Sequence, residues 1–129
     1  MNEDFAPFEL AVKLKEKGFR EECLCHYIGE DLVYNIESPI ANNQLWFCHN
    51  KYDNIWHRDN VDAPTIPQVL KWLRKVKGME VYSNYNRVYK HWTYIARAFD
   101  DSCYNSVGGF KTYEQATLEG IEYVLDNLI

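Results

Sequence analysis

One stretch constrains the fold more than any other: Ala63-Pro64-Thr65-Ile66-Pro67-Gln68-Val69-Leu70-Lys71-Trp72-Leu73-Arg74-Lys75-Val76-Lys77-Gly78. Thr65 and Gln68 have capping-box spacing, and Pro67 sits in the first turn, where a missing N–H costs little. Ile66, Val69, Leu70, Leu73 and Val76 then recur along one face of a 3.6-residue period. Lys75 and Lys77 suit the negative end of a helix dipole, and Gly78 suits the left-handed residue that closes a helix. The flanking segments alternate as strands do, so this helix is expected to lie across a sheet.

Two further helices are predicted. Phe5 to Gly18 has Leu10, Ala11 and Leu14 as its apolar stripe, lysines on its outer side, and a Gly18-Phe19 stop that returns Phe19 to Leu14. Thr112 with Gln115 repeats the capping spacing before a helix whose buried positions are Ile121, Val124, Leu125 and Leu128, extended by Thr117. Gly120 inside that helix costs up to about 1 kcal/mol against alanine, which implies a close approach by a neighbouring element.

Between the helices the pattern is of short strands and turns. Cys23–Ile28 and Leu32–Ile36 form a predicted hairpin about Gly29-Glu30-Asp31. Gln44–His49 is a predicted strand, Asn50–Asn54 a turn, Ile55–His57 a short return strand, and Arg58–Pro64 a polar loop. Glu80–Tyr85 and Val88–Phe99 form a second hairpin, turning near Asn84–Arg87. Along the longer arm Trp92, Tyr94, Ala96 and Ala98 share the more core-like face in its later half. Cys103-Tyr104 begins a short strand, and Gly108-Gly109 reads as loop. The expected fold is one α+β domain over residues 1–129, with three helices packed on a mainly antiparallel sheet.

Composition narrows the function classes. A net charge of −5 argues against general nucleic-acid binding and against attraction to anionic lipid, while leaving room for a local basic patch. No apolar run approaches the ~18 residues that span a bilayer. The acidic start Met1-Asn2-Glu3-Asp4-Phe5 lacks the order of a signal peptide, so a cytoplasmic location is expected. Cys23, Cys25, Cys48 and Cys103 are then expected as thiols.

Chemistry-bearing patterns are sparse. Cys23, Cys25, His26, Cys48, His49 and His57 are competent zinc ligands, yet they lack paired-ligand spacing, so no metal and no cofactor is expected. No nucleophile elbow or phosphate-binding glycine loop occurs, so no catalytic residue is assigned and the chain reads as a non-enzyme. A small metalloprotein or hydrolase is the weaker alternative. Rings interleaved with cations are the positive signal. Tyr85, Arg87, Tyr89, His91 and Trp92 gather on the second hairpin, with Tyr82 and Lys90 beside them, and Lys71, Trp72 and Arg74 lie on the preceding helix. Such residues anchor protein interfaces, and they also stack bases and hold phosphates. The partner is therefore a protein or a small nucleotide signal. Outer tyrosines and tryptophans make a homodimer plausible.

Three groups of residues carry a family likeness. They are Phe8-Glu9-Leu10-Ala11 with Leu14-Lys15-Glu16-Lys17-Gly18-Phe19, Ala63-Pro64-Thr65 with Trp72-Leu73-Arg74, and Thr112-Tyr113-Glu114-Gln115-Ala116 with Glu119-Gly120-Ile121. In these the chain resembles small uncharacterised proteins frequent in phages and prophages of Bacteroidetes-type bacteria. The matching residues are caps and packing positions, so they speak for fold and not for chemistry. The resemblance implies an accessory protein that engages a component of a bacterial host.

Overall fold

Ala6 precedes a proline, which disfavours helical geometry at that residue. In the computed structural model, which describes residues 4–34 and 60–129, the predicted first helix accordingly starts late. Phe5 bridges Thr65, the Ala6 N–H donates to Pro64 O at 2.8 Å, and α1 spans Phe8–Glu16. The chain divides into two compact units, Met1–Gln68 and Val69–Ile129, and each is described by itself.

In the first unit α1 ends as its sequence indicates. Gly18 has φ +96°, and the Phe19 N–H donates to Leu14 O at 3.0 Å. Leu10, Ala11, Leu14 and Phe19 are buried; each full leucine burial is worth about 2 kcal/mol. Strand β1 (Cys25–Ile28) pairs antiparallel with β2 (Asp31–Tyr34) across Gly29-Glu30, where Gly29 has φ +63°. On its other side β1 pairs with β3 (Asn60–Ala63). That strand falls where a polar loop was predicted. Its signal was a short alternation, with Val61 and Ala63 buried between polar neighbours. Cys25, His26 and Tyr27 are all buried, so both faces of β1 are covered. The Tyr27 hydroxyl donates to Ala6 O at 2.6 Å, and the Phe8 ring meets Tyr27 edge-on at 5.5 Å. Thr65 caps the next helix by accepting from the Gln68 N–H at 3.3 Å. The Gln68 side-chain amide donates to Glu22 O at 2.7 Å, tying the helix start to the chain before β1. The expected strands Gln44–His49 and Ile55–His57, with the turn between them, lie outside the described residues.

Helix α2 (Ile66–Trp72) does not continue as an α-helix to Gly78. Leu73–Lys77 forms a wider π turn, closed by Gly78 at φ 66°, ψ 32°, whose N–H donates to Leu73 O. The wider turn breaks the 3.6-residue phase. Val69, Trp72 and Leu73 are buried, but Val76, expected on the apolar stripe, is 58% exposed. Residues five apart become neighbours in such a turn, and the Lys77 ammonium sits 5.5 Å over the Trp72 ring.

The second unit holds the sheet β4 (Met79–Asn86), β5 (His91–Ala98) and β6 (Tyr104–Phe110), antiparallel throughout, with β5 central. Strand β6 corrects the expected Gly108-Gly109 loop. Trp92 pairs with Phe110 and Tyr94 with Val107, so the two glycines oppose the single residue Thr93 in a β-bulge. A Cβ on Gly108 would lie 2.5 Å from His91 Cε1 and 2.8 Å from Thr93 Oγ1, so any side chain there must push those two aside.

Helix α3 (Tyr113–Asn127) packs on one face of this sheet. Thr112 accepts from the Gln115 N–H at 3.0 Å, as its spacing indicates, and Gln115 Oε1 accepts from the Lys111 N–H at 3.2 Å. Ile121, Val124 and Leu125 are buried. Gly120 meets the sheet directly: a Cβ there would lie 2.8 Å from Val81 Cγ1 and 3.0 Å from Tyr94 Cγ. Thr117 sits one turn earlier, its hydroxyl 2.8 Å from Ser83 Oγ and donating to Tyr113 O. The architecture is α+β with antiparallel sheets, and among the described residues the strands form two three-stranded sheets. No helix among those residues is long and apolar enough to cross a membrane.

Candidate recognition surface

The β4–β5 hairpin closes through Arg87-Val88-Tyr89-Lys90. Asn86 builds this loop with its side chain: Oδ1 accepts from the Val88 N–H at 2.9 Å and the Tyr89 N–H at 3.0 Å. The Lys90 N–H returns to Asn86 O at 2.8 Å, and Lys90 itself takes the left-handed conformation at φ 57°. The tip is therefore an ordered loop, and it presents apolar surface to solvent. Val88 is 80% exposed and Tyr89 72%. Between Val81 and Phe99 the chain carries Arg87, Lys90 and Arg97 and no carboxylate. A locally cationic tip thus stands on a chain of net charge −5.

Strand alternation divides the other predicted site residues between two faces. Tyr85 and Trp92 are register partners on the α3 side. Their rings meet edge-to-face at 5.2 Å, and Trp92 meets Tyr113 in the same way at 5.5 Å. Trp92 is thus an internal link in a ring chain, half-buried, while Tyr85 stays exposed. His91 lies on the opposite face. It stacks on Tyr89 with centroids 5.8 Å apart and planes 10° from parallel. Its Nδ1 accepts from the Gly109 N–H at 3.1 Å, which assigns the ring proton to Nε2. Tyr89 is therefore braced by a histidine that the β6 bulge holds in place.

The helical part of the predicted site does not join the tip. Trp72 is buried, so its ring is core and not surface, whereas Lys71 and Arg74 are exposed. The eight residues of β4 span about 25 Å at ~3.3 Å each. Lys71 and Arg74 lie only about 10 Å of helix before the start of that strand. Even folded straight back along β4, the helix leaves them well short of Arg87 and Tyr89. Nearness in sequence was misleading because an extended strand carries the chain so far per residue. Two participants were missed: Val88, which a strand reading hid, and Tyr113, which was counted only as helix-start residue.

An open pocket of about 310 Å³ lies at the other end of this sheet, bordered by Lys77, Met79, Phe99, Asp100, Ser102 and Cys103. Asp100 accepts from the Ser102 N–H at 2.9 Å, and these Ser102 hydrogen bonds hold its carboxyl below the usual range. That carboxylate is engaged in a turn. In the first unit His26 and Asp62 are register partners across β1 and β3, and burial pushes the Cys25 thiol up. Among the described residues no three of His, Cys, Asp and Glu converge as a metal ion would require. Cys48, His49 and His57 lie outside the described residues.

The described residues define an α+β protein with a braced aromatic hairpin tip. The chain matches no protein-family model, no curated protein and no solved structure.

Proposed function

We propose that the chain is a non-enzymatic binding protein, and that the Arg87–Lys90 tip engages an acidic surface of a partner protein. One observation carries the reading: Tyr89, 72% exposed, is held flat against His91 in a loop whose sequence also carries Arg87 and Lys90. A ring fixed before contact loses little conformational freedom on binding, and Tyr and Arg are the side chains that anchor protein interfaces. Surrounding cations accelerate encounter with an acidic partner. The sequence resemblance supports a phage or prophage accessory protein that meets a host component in the bacterial cytoplasm.

The test compares capture from bacterial lysate by the wild-type chain, Tyr89→Ala and Arg87→Glu. A host protein retained by wild type and lost from both variants supports the reading. Equal capture by all three overturns it. A melting-temperature screen against nucleotides separates the alternative of a nucleotide sponge, because a ligand that binds the native state raises that temperature.

A further inference from the structure

We propose that β6 is the pairing edge for a second copy of this chain, giving a six-stranded antiparallel sheet through a twofold axis at Ser106. The hydrogen-bond pattern makes the edge available. The Ala98 N–H donates to Cys103 O at 3.0 Å, and the register runs on through Ala96–Asn105 and Tyr94–Val107. In an antiparallel ladder alternate residues bond the neighbouring strand. Asn105 and Val107 therefore turn their backbone groups toward β5, and Tyr104 and Ser106 turn theirs outward. Among the described residues no strand lies beyond β6. Tyr104, Ser106, Val107, Gly108 and Gly109 are exposed.

Such edges are ordinarily blunted by charge, proline or a bulge. This one carries no charge and no proline between Ser102 and Phe110, and its bulge is confined to the Gly108-Gly109 end. Its charges stand at the two ends, Asp101 before and Lys111 after, both exposed. Asp101 lies in the β5–β6 turn, its N–H donating to Ala98 O at 3.1 Å, so an antiparallel twofold at Ser106 brings the acidic Asp100-Asp101 turn of each copy toward the Lys111 end of the other.

Shape agrees with charge. The same register places Tyr104, 66% exposed, opposite Gly108 of the second copy. The missing Gly108 side chain would point to the face that carries His91 and Thr93. Tyr104 pairs with Arg97 and shares that face. A ring laid over a cross-strand glycine is a known stabiliser of strand pairs. The arrangement does not depend on the hairpin tip, and a failed capture experiment leaves it standing.

Sedimentation velocity over a concentration series tests it. Wild type is expected to move from monomer to dimer as concentration rises. Ser106→Pro removes only an outward N–H, which an edge strand tolerates, and should stay monomeric with unchanged far-ultraviolet circular dichroism. Lys111→Glu leaves the strand intact, places like charges together, and should weaken the dimer severalfold. Adding Asp101→Asn to that variant should recover part of the loss. A wild type monomeric at every concentration overturns the proposal, as does a dimer indifferent to both Ser106→Pro and Lys111→Glu.

Discussion

The two faces of β5 share one backbone and are built on opposite rules. On the α3 side, Tyr94, Ala96 and Ala98 are buried, Gly120 comes within contact of Tyr94, and Ser83 bonds Thr117. On the other side His91 and Thr93 are half-buried, Ile95 is buried, and Arg97 is exposed and pairs with Glu80 at 2.9 Å. The first face is packed so closely that a single methyl matters. The second keeps polar groups and rings near solvent, where they can meet another molecule. Along β5, therefore, the tightly packed positions lie mainly on the α3 side and the solvent-near polar positions mainly on the other.

The sharpest break of that contrast is Gly120→Val. Its side chain must displace Val81 and Tyr94, and overpacking of this kind costs about 2–3 kcal/mol. Urea unfolding should show it; an unchanged midpoint would mean that α3 stands off the sheet.

Tyr94 sharpens the contrast through pH. Burial, chiefly, and then the neighbouring Tyr123 raise its pKa above the ordinary value of 10.0, against the Asn105 amide that donates to its hydroxyl. Cys25 and Tyr27 are likewise raised by burial. Groups raised in this way hold more protons folded than unfolded. Their contribution is complete below the unfolded pKa values and is lost as pH rises through and beyond them. Stability should therefore fall above pH 9 to 10, starting from the ordinary thiol and phenol values. Tyr94→Phe should flatten part of that decline; a slope identical to wild type would remove Tyr94 as a cause.

Thr117→Val keeps the shape and deletes the hydroxyl, stranding Ser83, for a loss of about 1 kcal/mol in the same unfolding measurement. At the tip, Asn86→Ala removes two loop bonds that solvent can replace, and about 0.5 kcal/mol is expected. Tyr89→Ala should be the mildest, within about 0.5 kcal/mol of wild type, while abolishing partner capture. If Tyr89→Ala unfolds the unit, the tip is structural and the contrast fails.

What could be read in advance divides along similar lines. Thr65, Thr112, Gly18 and Gly78 act through bonds to residues a turn away, so their roles were legible. The π turn was not, because a 3.6-residue period was assumed to hold to Gly78. Strand β3 was obscured by Asn60 and Asp62, and the bulge by two glycines that look like a loop. The hairpin of the candidate site was legible from its rings and cations. Strand alternation also separated Trp92 and Tyr94 from His91, while the ring partners of Trp92 came from register and α3. Trp72 shows the limit most plainly: an indole between lysines and arginines has the composition of a surface and belongs to the core.

The edge-to-face series Tyr85–Trp92–Tyr113 has an optical consequence. Three chromophores held at fixed angles within 6 Å of each neighbour give a near-ultraviolet dichroic signal that depends on their mutual orientation. The hairpin and the start of α3 thus share a native spectroscopic label. Any ligand that pries them apart would be visible without a dye, and Trp92→Phe supplies the blank.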